Sequence, residues 1–224
     1  MAMTTPDERR DALARAQAHA PFLARLAADW PDDVACFLRN GADAALAALQ
    51  QDQGRRDDAD MARSLRQWRG RHALLTALGD LAGEHDVATT CGHLSDFADR
   101  ACDLALATAI QERMPDAALQ GIAIVALGKH GSRELNYSSD IDPILIFDPA
   151  TFPHRSRDDP AEAAVRVARR MVELLSARTA DGHVLRVDLR LRPHPEVTPI
   201  VLPVDAAISY YESQALPWEQ AAFI

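Results

Sequence analysis

The spacing of apolar residues changes period once along this chain, and that change limits the folds open to it. From about residue 7 to 115 apolar positions recur at helical steps: Met61, Leu65, Trp68, Leu75, Leu78 and Leu81 follow one another at intervals of three, four or seven. From Gly121 the run GIAIVALG is short, β-branched and bounded by glycine, which predicts a buried strand, and PILIFD at 143–148 predicts a second. DDPAE at 158–162 then offers Asp159 as N-cap, Pro160 at the first helical position and Glu162 three residues after the cap. The helix that follows has Val165, Ala168, Val172 and Leu175 as its apolar stripe and Gly182 just beyond its end. In HVLRVDLRLRP the residues alternate, with Val187, Leu189 and Leu191 on one side and Arg186, Asp188, Arg190 and Arg192 on the other, which predicts a third strand. The expected fold class is α+β: a helical region over 1–115, then a mixed sheet with flanking helices over 116–224.

Within the helical half, QDQGRRDDAD at 51–60 lacks apolar positions and is expected as a loop. Ser95, followed by Asp96 and Asp99, is expected to cap a helix running to about Glu112, with Pro115 closing the region. His85, Cys91 and His93 match no standard zinc spacing and lack a fourth ligand, so they are expected as ordinary helix-end residues.

Charge and cysteine content narrow the function classes. With 24 basic and 33 acidic residues the net charge is -9, which disfavours general nucleic-acid binding. No uncharged stretch approaches the ~18 residues of a membrane span, and MAMTTPDERR lacks the features of a signal peptide. Cys36, Cys91 and Cys102 form an odd set without CxxC spacing, as free thiols of a reducing, cytoplasmic compartment would.

The chemistry is concentrated in GKHGSRELNYSSDIDPILIF, 128–147. Asp140 and Asp142, two apart on an extended segment, point to one face with Cα atoms about 6.6 Å apart. Two carboxylates brought within ~4 Å repel by ~4 kcal/mol at an effective dielectric of 20, so a cation is expected between them. Mg²⁺ suits oxygen ligands and substrate phosphates, and two such ions about 3.5–4 Å apart serve phosphoryl transfer. Asp188, on the charged side of its expected strand, supplies a third carboxylate. Upstream, Gly131 admits a phosphate close to the backbone and Ser132 offers a hydroxyl and an N–H. Lys129 adds a point charge, and it is the only lysine among the 24 basic residues. Arg190 and Arg192 are candidates for phosphate contact or for structural pairing with Asp188. Glu134 and Asn136 are candidates for orienting the loop, and Tyr211 and Trp218 are expected to pack rather than stack on a base.

Glycine-serine, an Asp-x-Asp and a later strand Asp together resemble the nucleotidyltransferase superfamily, whose sheet is of the polymerase β type. The strings ALGKHGSRELNYSSDID, TADGHVLRVDLRLRP and YYESQALPWEQAAFI sharpen this. From about residue 60 onward they are similar to the N-terminal, adenylyl-removing half of the bifunctional glutamine synthetase adenylyltransferase/adenylyl-removing enzyme family. The sequence departs from that pattern at His130, where Leu or Met is usual, at Ser132, where a second Gly is common, and at Pro143, where Leu is usual.

The resemblance implies removal of AMP from a tyrosine of glutamine synthetase by phosphate, giving ADP. Asp140, Asp142 and Asp188 would be the catalytic and Mg²⁺-holding residues. Gly131, Ser132, Ser139, Lys129, Arg190 and Arg192 would lie on the phosphates. Glutamine synthetase and a PII-type signalling protein are the implied partners. Two readings stay open beside it: another superfamily enzyme acting on a small molecule, and an inactive module that only binds glutamine synthetase or PII. WEQAAFI begins an apolar helical pattern that reaches Ile224 without a cap, so a truncated chain is expected, and the resemblance implies that a helical bundle would follow.

Overall fold

The computed structural model describes residues 4–53 and 60–222. They form two compact units, divided between Phe97 and Ala98. The first is helical: α1 (Pro6–His19), α2 (Pro21–Asp29), α3 (Pro31–Asn40), α4 (Ala42–Gln53), α5 (Met61–Ala82) and the opening turns of α6 (Val87–Gln111). α1, α2 and α3 each begin with proline at the first helical position, where a missing N–H loses nothing and a preset φ helps. Thr5 and Glu8 close α1 with a reciprocal capping box. α5 buries Leu65, Trp68, Leu75 and Leu78 as its spacing predicts, together with Leu74, while Met61 and Leu81 are half-exposed at its ends. Phe37, Leu46 and Leu49 complete this core. Residues 54–59 of the expected loop lie outside the described residues, but Asp60 caps α5, accepting from the Arg63 N–H at 3.0 Å.

α6 begins eight residues before the expected cap. The Asp86 carboxylate accepts from the Thr89 N–H at 2.8 Å, and Ser95 lies fully buried inside the helix, its hydroxyl donating to the Cys91 carbonyl at 2.8 Å. A serine satisfied by the carbonyl four residues back does not end a helix, and one glycine, Gly92, costs only about 1 kcal/mol.

The second unit holds the rest of α6, then β1 (Ile122–Leu127), the single turn α7 (Gly128–Gly131), β2 (Asp142–Phe147), α8 (Pro160–Ser176), β3 (Val201–Pro203), α9 (Val204–Ser213) and α10 (Pro217–Ala221). The sheet order is β1-β2-β3. β1 and β2 are antiparallel, with Ile122 opposite Phe147 and Leu127 opposite Asp142, and β3 runs parallel to β2 from Leu145 opposite Val201. The sheet is mixed and the fold α+β, as expected. Asp159 caps α8, accepting from the Glu162 N–H at 2.9 Å. The buried face of α8 is Ala164, Val167, Ala168, Met171, Leu174 and Leu175, rotated slightly from the expected stripe, so Val165 and Val172 are only half-buried. Gly182 closes a turn with Thr179 beyond the helix end.

The strand expected over 183–192 does not form. Only Ile141 and Val187 are joined, in one parallel bridge. Beyond it the arginines bond to their own loop: Arg190 folds onto Asp188, and Arg192 donates to the carbonyls of Leu189 at 2.6 Å and Pro195 at 2.7 Å. Pro193 and Pro195 have no N–H to extend a ladder. β3, three residues ending in proline, is too short to show a period. Among the described residues no helix is long and apolar enough to cross a membrane. Cys36, Cys91 and Cys102 are free thiols.

Candidate active site

The bridge between Ile141 and Val187 sets the geometry of the carboxylates. The Ile141 N–H donates to the Arg186 carbonyl and the Asp188 N–H to the Ile141 carbonyl, both at 2.9 Å. Ile141 is fully buried, so its neighbours Asp140 and Asp142 point to the opposite face. Arg186 and Asp188 flank Val187 in the same way. Four charged side chains from two segments 46 residues apart thereby share one face. Period two continues that face along β2 to Ile144 and Ile146. These two line a groove of about 480 Å³ with Val125 of β1, Val204, Ala207, Ile208 and Tyr211 of α9, and Gln220.

Each of two carboxylates carries an arginine. Arg186 pairs with Asp140 and also donates to the Ser138 carbonyl. Arg190 grips Asp188, its Nε 2.8 and 2.9 Å from the two oxygens, and this holds the Asp188 carboxyl below the usual range. Among the described residues no guanidinium is hydrogen-bonded to Asp142. Burial, followed by the charges of Asp188 and Asp140, pushes its carboxyl above the usual range, while Arg190 and His130 oppose the rise. The cluster is thus short of positive charge at Asp142.

The turn arriving from β1 is tightly built. Gly128 has φ of +54°, a left-handed conformation that favours glycine, and a Cβ there would meet the Asp142 carboxylate at 3.7 Å. The turn therefore passes beside Asp142. The Ser132 hydroxyl donates to the Gly128 carbonyl at 3.1 Å and to Glu134 at 3.3 Å. Ser139 accepts from the Asn136 N–H at 3.0 Å, and the Asn136 side chain accepts from the Ser138 N–H at 3.0 Å. Glu134 and Asn136 do hold the loop. Lys129, Gly131 and Ser132 are exposed, whereas Arg192 has its guanidinium turned to carbonyls of its own loop.

Three features escaped the sequence reading. Arg186 was visible only as one more charge on the alternating segment. His130 is buried beneath the turn, its Nε2 2.8 Å from an oxygen of Asp99 on α6, a partner 31 residues away that no local spacing reveals. Trp218, expected to pack, is 53% exposed, while its neighbour Glu219 is buried and accepts from the Tyr210 hydroxyl at 2.6 Å.

Carboxylates crowded in this way repel an anionic substrate unless a cation intervenes, the arrangement by which phosphatases, nucleases and polymerases handle phosphate esters. The sequence narrows the class further, since the family model for glutamate-ammonia ligase adenylyltransferase matches residues 11–224 and the chain belongs to that family. It is 40% identical over 220 residues to the bifunctional glutamine synthetase adenylyltransferase/adenylyl-removing enzyme of Xanthobacter autotrophicus, covering 92% of this chain and 22% of that protein. The enzyme of the same description from Caulobacter vibrioides is 42% identical over 192 residues, covering 81% and 20%, and that from Rhizobium meliloti 36% over 236 residues, covering 96% and 24%. The chain spans about a fifth of the length of these relatives.

Proposed function

We propose that this chain carries the adenylyl-removing reaction on glutamine synthetase. An oxygen of inorganic phosphate forms a bond to the AMP phosphorus, the bond from that phosphorus to the tyrosine oxygen breaks, and the tyrosine leaves with a proton, so that ADP and unmodified tyrosine result. The observation that carries this reading is the placing of Asp140, Asp142 and Asp188 on one face at the head of an apolar groove. The resemblance of the 128–142 and 179–193 segments to the family's adenylyl-removing half supports that direction over transfer.

The donor chemistry suits Mg²⁺: three carboxylates share one face, and burial, followed by the charges of Asp188 and Asp140, makes the Asp142 carboxyl resist ionisation. Asp140 and Asp142 would hold the ion, and Asp188 would hold a second one or steer the incoming phosphate; when bound, the ion neutralises phosphate charge and orients the nucleophile. The chain's own groups do the rest. Lys129, Gly131, Ser132 and Ser139 present a charge, an open backbone and hydroxyls toward the phosphates. Arg190, whose side chain is 85% exposed, is free to leave Asp188 for an arriving phosphate. Arg192 acts by holding the 189–198 loop. The groove along β2 accommodates an aromatic ring, from adenine or from the tyrosine.

The test is ADP release from adenylylated glutamine synthetase supplied with phosphate and Mg²⁺. Asp140→Asn should abolish it; an unchanged rate in that variant refutes the assignment. Pyrophosphate release from ATP onto unmodified glutamine synthetase would instead give the chain the opposite direction. Binding of glutamine synthetase or a PII-type protein without Mg²⁺-dependent turnover would make it a recognition module.

A further inference from the structure

We propose that Asp43, His85 and His93 form a binding site for a divalent transition metal, with Zn²⁺ the ion best suited to the donor set. The site lies within the helical unit and does not depend on the reaction proposed above.

The two histidines lack a zinc spacing in sequence, and the missing ligand comes from far upstream. Asp43, in the first turn of α4, places one oxygen, Oδ1, 2.9 Å from Nε2 of His85 and 3.2 Å from Nε2 of His93. The three ligand atoms lie within 4.8 Å of one another. Zinc bonds of about 2.0–2.1 Å in a tetrahedron set ligand atoms about 3.3 Å apart. The two edges through Asp43 need open by only a few tenths of an ångström, and the two Nε2 atoms, up to 4.8 Å apart, need to draw together by up to about 1.5 Å, to admit the ion. Cys91 is not part of the group, and a water would take the fourth position beside the exposed Asp43.

The backbone holds these ligands in advance. The His85 side chain is 1% exposed and lies against Gly79 of α5, where a Cβ would fall 2.5 Å from the ring, so only glycine admits the imidazole. Glu84 accepts from the Ala42 N–H at 2.6 Å, fixing the start of α4 one residue before Asp43. Asp43 at the start of α4, His85 in the loop between α5 and α6 and His93 in the second turn of α6 are thereby prearranged, as a metal site requires. Two imidazoles with centroids 4.6 Å apart aim the same nitrogen at one oxygen. Two nitrogens and one oxygen suit Zn²⁺, Co²⁺ or Ni²⁺ better than Mg²⁺ or Ca²⁺. Nδ1 of His85 has no hydrogen-bond partner, and without that outer support the affinity should be about 10–100-fold below that of a fully supported site.

The test is titration of the EDTA-stripped 224-residue protein with Zn²⁺ against a chromophoric chelator, repeated with Co²⁺ by visible absorption. One equivalent should bind in the parent, in Cys91→Ser and in the Asp140→Asn/Asp142→Asn double variant. His93→Gln and Asp43→Asn, at partly and fully exposed positions, should each weaken binding at least about tenfold and lose the Co²⁺ band. Their melting temperatures in EDTA should equal the parent's, and Zn²⁺ should raise the melting temperatures of the parent, Cys91→Ser and the double variant more than theirs. No bound ion, equal affinity in the two ligand variants, or loss of binding in Cys91→Ser overturns the proposal.

Discussion

In the helical unit Arg71 lies between Asp33 and Asp52, forked over both oxygens of Asp33 at 2.6 and 2.8 Å, 2.7 Å from Asp52, and across the Trp30 ring at 4.8 Å. In the sheet unit Asp142 lies between two other carboxylates whose own arginines are turned to them rather than to it. Both are ionisable groups partly withdrawn from water, and their neighbours act in opposite senses. Hydrogen bonds donated to Asp33 first of all raise the Arg71 pKa, so its charge is secured by folding. The neighbours of Asp142 add to the effect of burial and make its charge costly. The first arrangement is complete within the chain, and its removal should damage the fold. Under the proposed function the second is completed by a cation from outside, and its removal should damage the reaction.

The largest expected effect breaks the comparison on the sheet side. Asp142→Asn should lower ADP release from adenylylated glutamine synthetase by about 10³-fold, the order seen when a transition-state charge partner is lost, while the melting temperature without Mg²⁺ stays level or rises. A lower melting temperature would show that Asp142 is a structural residue. On the helical side the signs reverse. Arg71→Ala leaves Asp33 buried without its partner and should cost about 3–5 kcal/mol in denaturant unfolding. A cost under 1 kcal/mol would mean that water compensates Asp33 as well as the guanidinium does.

The same two regions show what the sequence could express. Asp140 and Asp142 are readable as a same-face pair because the extended segment through Ile141 alternates its side chains, and α8 is readable from Asp159, Pro160 and Glu162 because capping is local. The neighbour of that pair was harder. Asp188 was placed on the correct face for an incorrect reason, since alternation predicted a strand where one bridge at Val187 suffices. Contacts across long separations left no local trace: Asp33 with Arg71, Asp99 with His130, and Asp43 with His85 are 38, 31 and 42 residues apart. Each joins residues that separately read as surface charge or a helix end. Ser95 misled because the same side chain serves as a cap or bonds back inside a helix, and only the preceding turns decide which.

A smaller effect concerns Arg190, which separates the metal from the phosphate role. Arg190→Ala should lower kcat/KM for phosphate about tenfold, as loss of a charge-assisted contact does. The Mg²⁺ concentration for half-maximal rate should not rise, because the variant frees Asp188 from a competing cation. A rise in that concentration would assign Arg190 to support of the metal ligands instead.

The smallest expected effect is on stability against pH, and its sign follows from the direction of each shift. Asp142 has a folded pKa above its unfolded value, so between the two values the folded chain binds more protons. Stability therefore falls as pH rises through that window, and the cost of the ionised group persists above it. Asp188, lowered chiefly by Arg190, has the opposite dependence: its contribution is present above the ordinary Asp value of about 3.9 and is lost as pH falls through its folded value. The two partly cancel in the parent chain, so the difference between parent and Asp142→Asn is the quantity to measure. Asp142→Asn should gain on the parent in melting temperature as pH rises from 4 to 7, and Mg²⁺ at pH 7 should close that gap by restoring the parent. A gap that stays constant with pH, or that Mg²⁺ leaves open, would show that the carboxylates of the sheet unit do not repel one another as their placing implies.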